Sequence, residues 1–207
     1  MLLAFDTASP TVTVALHDGA DVVAAASSPA PMKHGEQLAP LVEQVLAEGG
    51  ARPGQVSEIA VGVGPGPFTG LRVGLVTART MAHVLGVPVH GVCSLDVLAL
   101  EAVETGTVSG GFVVASDARR KEVYLASYDA GGTRRDGPVV DRPAVLATGG
   151  PVVGEGAELY PEAFPDARGP ARPSAAWLAR GVVAGRFAVA GPEPLYLRRP
   201  DAVAPPR

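Results

Sequence analysis

The sequence predicts an α/β fold of two related halves, the second of them reduced. Three observations carry this expectation. Apolar residues alternate at period two in short runs and recur at period 3.6 in longer ones, so strands and helices succeed one another along the 207 residues. Laid without gaps over residues 2–18, the stretch 113–129 sets Asp117 on Asp6, Val123 on Val12, Leu125 on Val14, Ala126 on Ala15 and Asp129 on Asp18. Each half thus opens with a strand, an aspartate turn and an alternating strand. Finally, Gly64, Pro65, Gly66 and Pro67 join an apolar run to an amphipathic one, the stiff connection expected between a buried strand and a helix.

Taken in order, residues 2–5 read as a strand, 6–10 as a turn, 11–16 as a half-buried strand and 21–27 as a third, so the chain opens as a β-meander. A proline-containing loop over 28–33 follows. Leu38, Leu41, Val42, Val45 and Leu46 then recur at i, i+3, i+4, i+7 and i+8, a helix over 34–49 with one buried stripe; Gly49 and Gly50 end it, and Pro40 either sits near its first turn or kinks it. Residues 59–63 form a strand and 70–85 a helix, with Thr69 as its expected N-cap, Gly86 at its end and Pro88 beyond. A strand over 87–92 leads to a helix from Ser94, its expected cap, to about 103, with Asp96 in the first turn. The small, glycine-rich residues 105–111 mark a boundary. The expected division is 1–105 for the first subdomain, 106–197 for the second and 198–207 for a flexible tail. Within the second, 151–153 read as a strand and 174–185 as a helix holding Trp177 and Leu178.

Composition narrows the function classes. With 47% hydrophobic and 18% charged residues the chain has the makings of a core. A net charge of −4, with Lys33 and Lys121 the only lysines, predicts weak binding of nucleic acid by this chain alone. The groups at 119–121, 134–135 and 198–199 read as solvated faces. A lone Cys93 excludes an internal disulfide and fits a reducing compartment, and no run approaches the ~20 apolar residues of a membrane span, so a cytoplasmic protein is expected.

Known reactive constellations are missing. A phosphate-binding loop aims successive backbone N–H groups at the anion, and Pro65 and Pro67 delete two of them. Thr69 stands where a dinucleotide fingerprint needs its third glycine, and no lysine follows Gly70. Phe68 occupies the centre of what would be a hydrolase elbow, and the four histidines, His17, His34, His83 and His90, offer no pair at ligand spacing on one helix. Asp6 and Asp117 are the weak candidates for binding a metal-bound phosphate; each is read rather as bonding its own turn.

Several segments carry a resemblance in order along nearly the whole chain: Ala4-Phe5-Asp6-Thr7, His34-Gly35-Glu36, the glycine and proline run from Gly64, Gly91-Val92-Cys93-Ser94-Leu95, Asp117-Ala118-Arg119-Arg120 with Glu122-Val123-Tyr124, and Pro194-Leu195-Tyr196-Leu197-Arg198. Together they resemble the bacterial TsaB family, also called YeaZ. The resemblance implies an actin-like (ASKHA, RNase H-like) fold and a role as a non-catalytic partner of TsaD in placing threonylcarbamoyl on the adenosine next to the tRNA anticodon, with TsaE as a third component. TsaD carries a His-x-x-x-His metal pair whose positions fall, by the resemblance, on Ser94 and Leu98 here, so no catalytic residue, metal or cofactor is expected. A heterodimer with TsaD is expected, a homodimer in its absence, and tRNA contact only through the complex. Gly70, Gly74, Ala78 and Ala82 recur every four residues as a smooth ridge; with His34, Leu38 and Leu41 they are the expected partner-binding residues. The rival expectation is an actin-like, ATP-dependent phosphotransferase or hydrolase using Asp6 and Asp117.

Overall fold

A computed structural model describes residues 1–28 and 33–198. The first sheet comprises β1 (Leu2–Asp6), β2 (Thr13–His17), β3 (Val22–Ser27), β4 (Glu58–Gly62) and β5 (Val89–Val92), in the order β3-β2-β1-β4-β5. The second comprises β6 (Phe112–Asp117), β7 (Val123–Tyr128), β8 (Arg134–Asp141), β9 (Pro151–Val153) and β10 (Asp166–Arg168), in the order β10-β9-β6-β7-β8. Renumbered within its own half, each sheet runs third, second, first, fourth, fifth. The first three strands are antiparallel and the last two parallel to the first. This doubled arrangement is the α/β fold of two related halves that the sequence predicts and matches the actin-like fold that the resemblance implies; β8 and β10, which the periodicity did not predict, complete the second copy.

The internal repeat needs one correction. Asp6 pairs with Thr13 across the first hairpin and Asp117 with Val123 across the second, so the second turn is one residue shorter and Val123 corresponds to Thr13, not Val12. β7 is one residue longer than β2, which restores the match at Asp18 and Asp129. Both aspartates accept backbone N–H groups in the turn that follows, Asp18 from Ala20 and Asp21, Asp129 from Gly131 and Thr133, each bond 2.8 to 3.0 Å.

Among the described residues five α-helices complete the fold: α1 (His34–Glu48), α2 (Phe68–Leu85), α3 (Ser94–Glu104), α4 (Glu155–Leu159) and α5 (Ala175–Val183). Because strand side chains alternate, β1 sends Leu3 and Phe5 to one face and Leu2 and Ala4 to the other. The first face packs on Leu38, Val45 and Leu46 of α1 and on Leu71, Leu75 and Ala78 of α2. The second is lined by Ala4, Ala15 and Ala60, small enough for α5 to approach with Leu178 and Ala179. α3, which the expected division at 105 assigns to the first half, packs with Leu95, Leu98 and Ala102 on the second sheet, where Tyr128 of β7 donates to its Asp96 at 2.7 Å. The halves thus exchange helices: α3 goes to the second sheet and α5 returns to the first.

Two helix starts differ from expectation. α2 begins at Phe68 with Pro67 in the cap position, so Thr69 lies inside the first turn, exposed and without a capping role. Cys93, not Ser94, precedes α3, and the Ser94 hydroxyl is engaged elsewhere. Pro40 lies inside α1, where it deletes one helical N–H on the exposed side. Residues 29–32 of the predicted loop and 199–207 of the predicted tail lie outside the described residues. No helix among the described residues is long and apolar enough to cross a membrane.

Candidate functional site

The cleft between the sheets is where the two aspartate turns meet. Asp6 ends β1 with 0% of its surface exposed. Its Oδ1 accepts the Ala8 N–H at 2.7 Å, and its Oδ2 accepts the Ser94 hydroxyl at 2.6 Å. Burial raises its pKa above the ordinary aspartate value, a shift that the hydrogen bonds from Ser94 and Ala8 and the nearness of His34 only partly offset. Gly62, at the end of the neighbouring β4, makes room for this carboxylate: a Cβ there would stand 1.9 Å from Oδ2. Asp117, at the matching end of β6, accepts the Arg119 N–H at 2.8 Å and pairs with the Arg119 guanidinium at 3.2 Å. Both carboxylates therefore bond the backbone two residues on, as the turn reading of these residues expects.

Around these turns little space is left. The gap bounded by Ala8, Pro65, Ser94, Leu98, Asp117 and Arg172 measures about 10 Å³, room for a single water. The glycine-proline loop fills one side, since a Cβ on Gly66 would lie 2.3 Å from the Ala8 carbonyl oxygen. From the other side Arg172 reaches across, with Nε 2.8 Å from Glu155 at the start of α4 and Nη1 3.0 Å from Thr11 in the first half. Leu98, one of the two positions facing the metal pair of the resembled transferase, is fully buried in the second core. Among the described residues no group of three or more His, Cys, Asp or Glu side chains could hold a metal ion. Burial pushes the Cys93 thiol up to about 12, which keeps it protonated and unreactive.

A strap from the end of the chain closes the far side. Gly91 and Ala190 exchange two backbone hydrogen bonds of 2.8 and 2.9 Å, Leu195 donates to the Val63 carbonyl at 2.8 Å, and Tyr196 packs on Phe68 with ring centroids 5.1 Å apart. Arg198 then donates to the Ala118 carbonyl at 2.9 Å and pairs with Glu122, so the strap touches both halves. The sequence declares the apolar residues of this strap and the segment 194–198 of the resemblance, but Arg198, expected on a solvated face at the start of a flexible tail, is instead tied to the second half. Neither the Gly62 vacancy nor the Arg172 bridge left a signal in the local pattern, because each is made by residues distant along the chain.

The expected partner-binding residues lie inward. His34 is buried, with Nε2–H donating to the Ser9 carbonyl at 2.8 Å, and Leu38 and Leu41 belong to the first core. Ala78 and Ala82 pack in that same core. Gly70 faces the Thr7 carbonyl and Gly74 the Thr7 hydroxyl, at 2.6 and 2.4 Å from where a Cβ would be, and Thr7 Oγ1 donates to Gly70 O at 2.8 Å. The smooth ridge is therefore spent inside the chain, on the turn after β1. The opposite faces of the same helices are open. Val76 and Val84 of α2 are 60% and 75% exposed, beside Arg72 and Thr80, and α1 presents Gly35, Ala39 and Glu43.

Comparison with known proteins follows the same outline. Residues 28–173 match the family model described as TsaD: tRNA N6-adenosine threonylcarbamoyltransferase. A protein of Mycobacterium tuberculosis is 41% identical over 97% of this chain and 93% of its own. The tRNA threonylcarbamoyladenosine biosynthesis protein TsaB of Bacillus subtilis is 33% identical over 70% of this chain and 62% of its own. Among solved structures, YeaZ from Pseudomonas aeruginosa superposes with a TM-score of 0.80 at 30% identity, covering 95% of this chain and 99% of that one.

Proposed function

Since this chain belongs to the TsaB (YeaZ) family, we propose that it serves the synthesis of N6-threonylcarbamoyladenosine in tRNA as a subunit that binds and activates TsaD, without chemistry of its own. The observation that carries the non-catalytic part is the filled cleft. A nucleotide or acyl donor needs a pocket of several hundred Å³, and the aspartate turns enclose about 10 Å³. Ser94 and Leu98 supply neither a metal ligand nor a base; one holds Asp6 and the other fills the core.

Activation then works through surface contact. The open faces of α1 and α2 replace the buried ridge as the partner surface, with Val76 and Val84 as its exposed apolar residues. An interface of ordinary size would cover about 800 Å² of each partner. The same faces would serve a homodimer when TsaD is absent, TsaE would join as a third component, and the protein would work in the cytoplasm.

The deciding experiment is a reconstitution: TsaD with and without this chain, assayed for modified adenosine in tRNA, beside calorimetry of the chain alone with ATP and magnesium. Stimulation of TsaD, with no turnover and no ATP binding by the chain alone, supports the proposal. Turnover by the chain alone, or magnesium-dependent ATP binding that Asp6→Asn and Asp117→Asn abolish, rejects it in favour of an actin-like phosphotransferase or hydrolase. Within the same assay, Val76→Glu should prevent co-purification with TsaD while leaving the melting temperature unchanged; retained co-purification removes this surface from the proposal.

A further inference from the structure

The second half carries a groove of about 660 Å³, lined by Lys121 at the end of the β6–β7 turn, Arg142 and Pro143 after β8, and Leu159, Tyr160 and Glu162 at and beyond the end of α4. Its lining shares no residue with the cleft and includes none from α1 or α2. Its two cations differ from their neighbours. Arg119, Arg134, Arg135, Arg168, Arg172 and Arg186 of the same half each pair with a carboxylate. Lys121 and Arg142 have no ion pair, side-chain hydrogen bond or ring contact among the described residues, and both are exposed. The turn that presents Lys121 is held in an unusual backbone: Arg119, Arg120 and Lys121 have φ of 60°, 56° and 60°, a left-handed run that side-chain-bearing residues seldom adopt. The turn is closed by Glu122 N–H to Arg119 O and Ala118 N–H to Glu122 O, each 3.0 Å, so the basic side chains start from a fixed frame.

Two uncommitted cations over a floor of proline, leucine and one tyrosine call for a ligand with negative charge and flat apolar faces. We propose that this groove is a contact site for single-stranded RNA, with phosphates against Lys121 and Arg142 and a base against the Tyr160 ring. This rests on the functional reading above and deepens it: the chain has its own hold on the nucleic acid besides its contact with TsaD. An acidic peptide would satisfy the cations but leave the tyrosine and the apolar floor without a stacking partner. Glu162 sits in the same groove and opposes a polyanion, which makes it a useful probe.

The test is fluorescence anisotropy of a labelled tRNA anticodon stem-loop with the full chain at about 50 mM salt, where phosphate contacts are strongest. Lys121→Glu and Arg142→Glu should each weaken binding about tenfold and reduce the slope of log affinity against log salt by about 0.7, the value for one phosphate of a single strand. Tyr160→Ala should weaken binding without changing the slope, and Glu162→Gln should tighten it. Arg52→Glu, in the other half, should change affinity less than twofold. Equal losses from Arg52→Glu, competition by polyglutamate as strong as by RNA, or no binding at this salt would overturn the proposal. Co-purification of the same variants with TsaD keeps the two readings apart: all should be retained, and a wild-type chain that binds RNA but not TsaD would sink the functional reading alone.

Discussion

Replacing Gly74 by alanine separates a partner-facing ridge from a self-packed one by the sign of its effect. In the middle of a helix with free space around it, glycine to alanine stabilises by about 1 kcal/mol, because alanine gives up less conformational freedom. Here the new methyl carbon would lie 2.4 Å from Thr7 Oγ1 and 3.5 Å from the Thr7 Cβ and Cγ2. Thr7 is fully buried and its hydroxyl is donated to Gly70 O at 2.8 Å, so it has no free rotamer to retreat into. Losing that bond costs about 1 kcal/mol, and forcing one methyl into a packed contact costs about 1–3 kcal/mol more. Set against the helix gain, the net is a loss of about 2 kcal/mol. At roughly 2–4 °C per kcal/mol for a chain of this size, the midpoint should fall by about 4–8 °C. Thermal unfolding followed by circular dichroism measures it, with Gly35→Ala as the control: its Cβ meets nothing nearer than Val73 Cγ2 at 4.0 Å, so it should be neutral or slightly stabilising. A Gly74→Ala chain as stable as the wild type would refute the packing described for α2 and return the ridge to the surface.

Other consequences are as direct. Because burial raises the folded-state pKa of Asp6, its contribution to stability is complete below the ordinary aspartate range and is lost as pH rises through the raised value; Asp6→Asn should flatten that part of a urea stability profile, and parallel wild-type and variant profiles would count against a buried, strained ionisation. Gly62→Ala should cost about 3 kcal/mol in chemical denaturation, since its methyl displaces the carboxylate that Ser94 and Ala8 hold. With its pKa pushed up to about 12, Cys93 should be alkylated about a thousandfold more slowly than a free cysteine at pH 8 until the chain unfolds, and rapid labelling of the native chain would place it outside the core. Arg172→Ala should lower stability by about 1 kcal/mol, a modest figure because the arginine is 45% exposed, and Arg172→Lys should recover only part of it.

Strands, helices and the doubling of the fold were legible in the sequence because they are written in local periodicity. The stripe of α1, the alternation of β2 and the aspartates after β2 and β7 all declare themselves within a few residues. The unpredicted β8 and β10 are short of that signal: β8 interrupts its pattern with Gly137 and Pro138, and β10 has three residues, two of them charged. The second hairpin's shortened turn escaped for a related reason, since the compensating residue in β7 makes a gap-free overlay look right at both ends.

Which face of a helix meets what is a different kind of information. The four-residue spacing of Gly70, Gly74, Ala78 and Ala82 identifies a smooth face but not its occupant, and Thr7, more than sixty residues earlier, supplied it. Likewise, composition and missing motifs bore on whether the chain is reactive, while only the folded chain decided that Gly62, Ser94 and Arg172 close around the two aspartate turns. The physical reason is range. Backbone preference and side-chain period act over one or two turns of chain, so the amino-acid order by itself determines the elements and their repetition. Volume and charge in a cleft are sums over residues that meet through tertiary packing alone, and these decide whether the space between the two aspartate turns stays open or is filled.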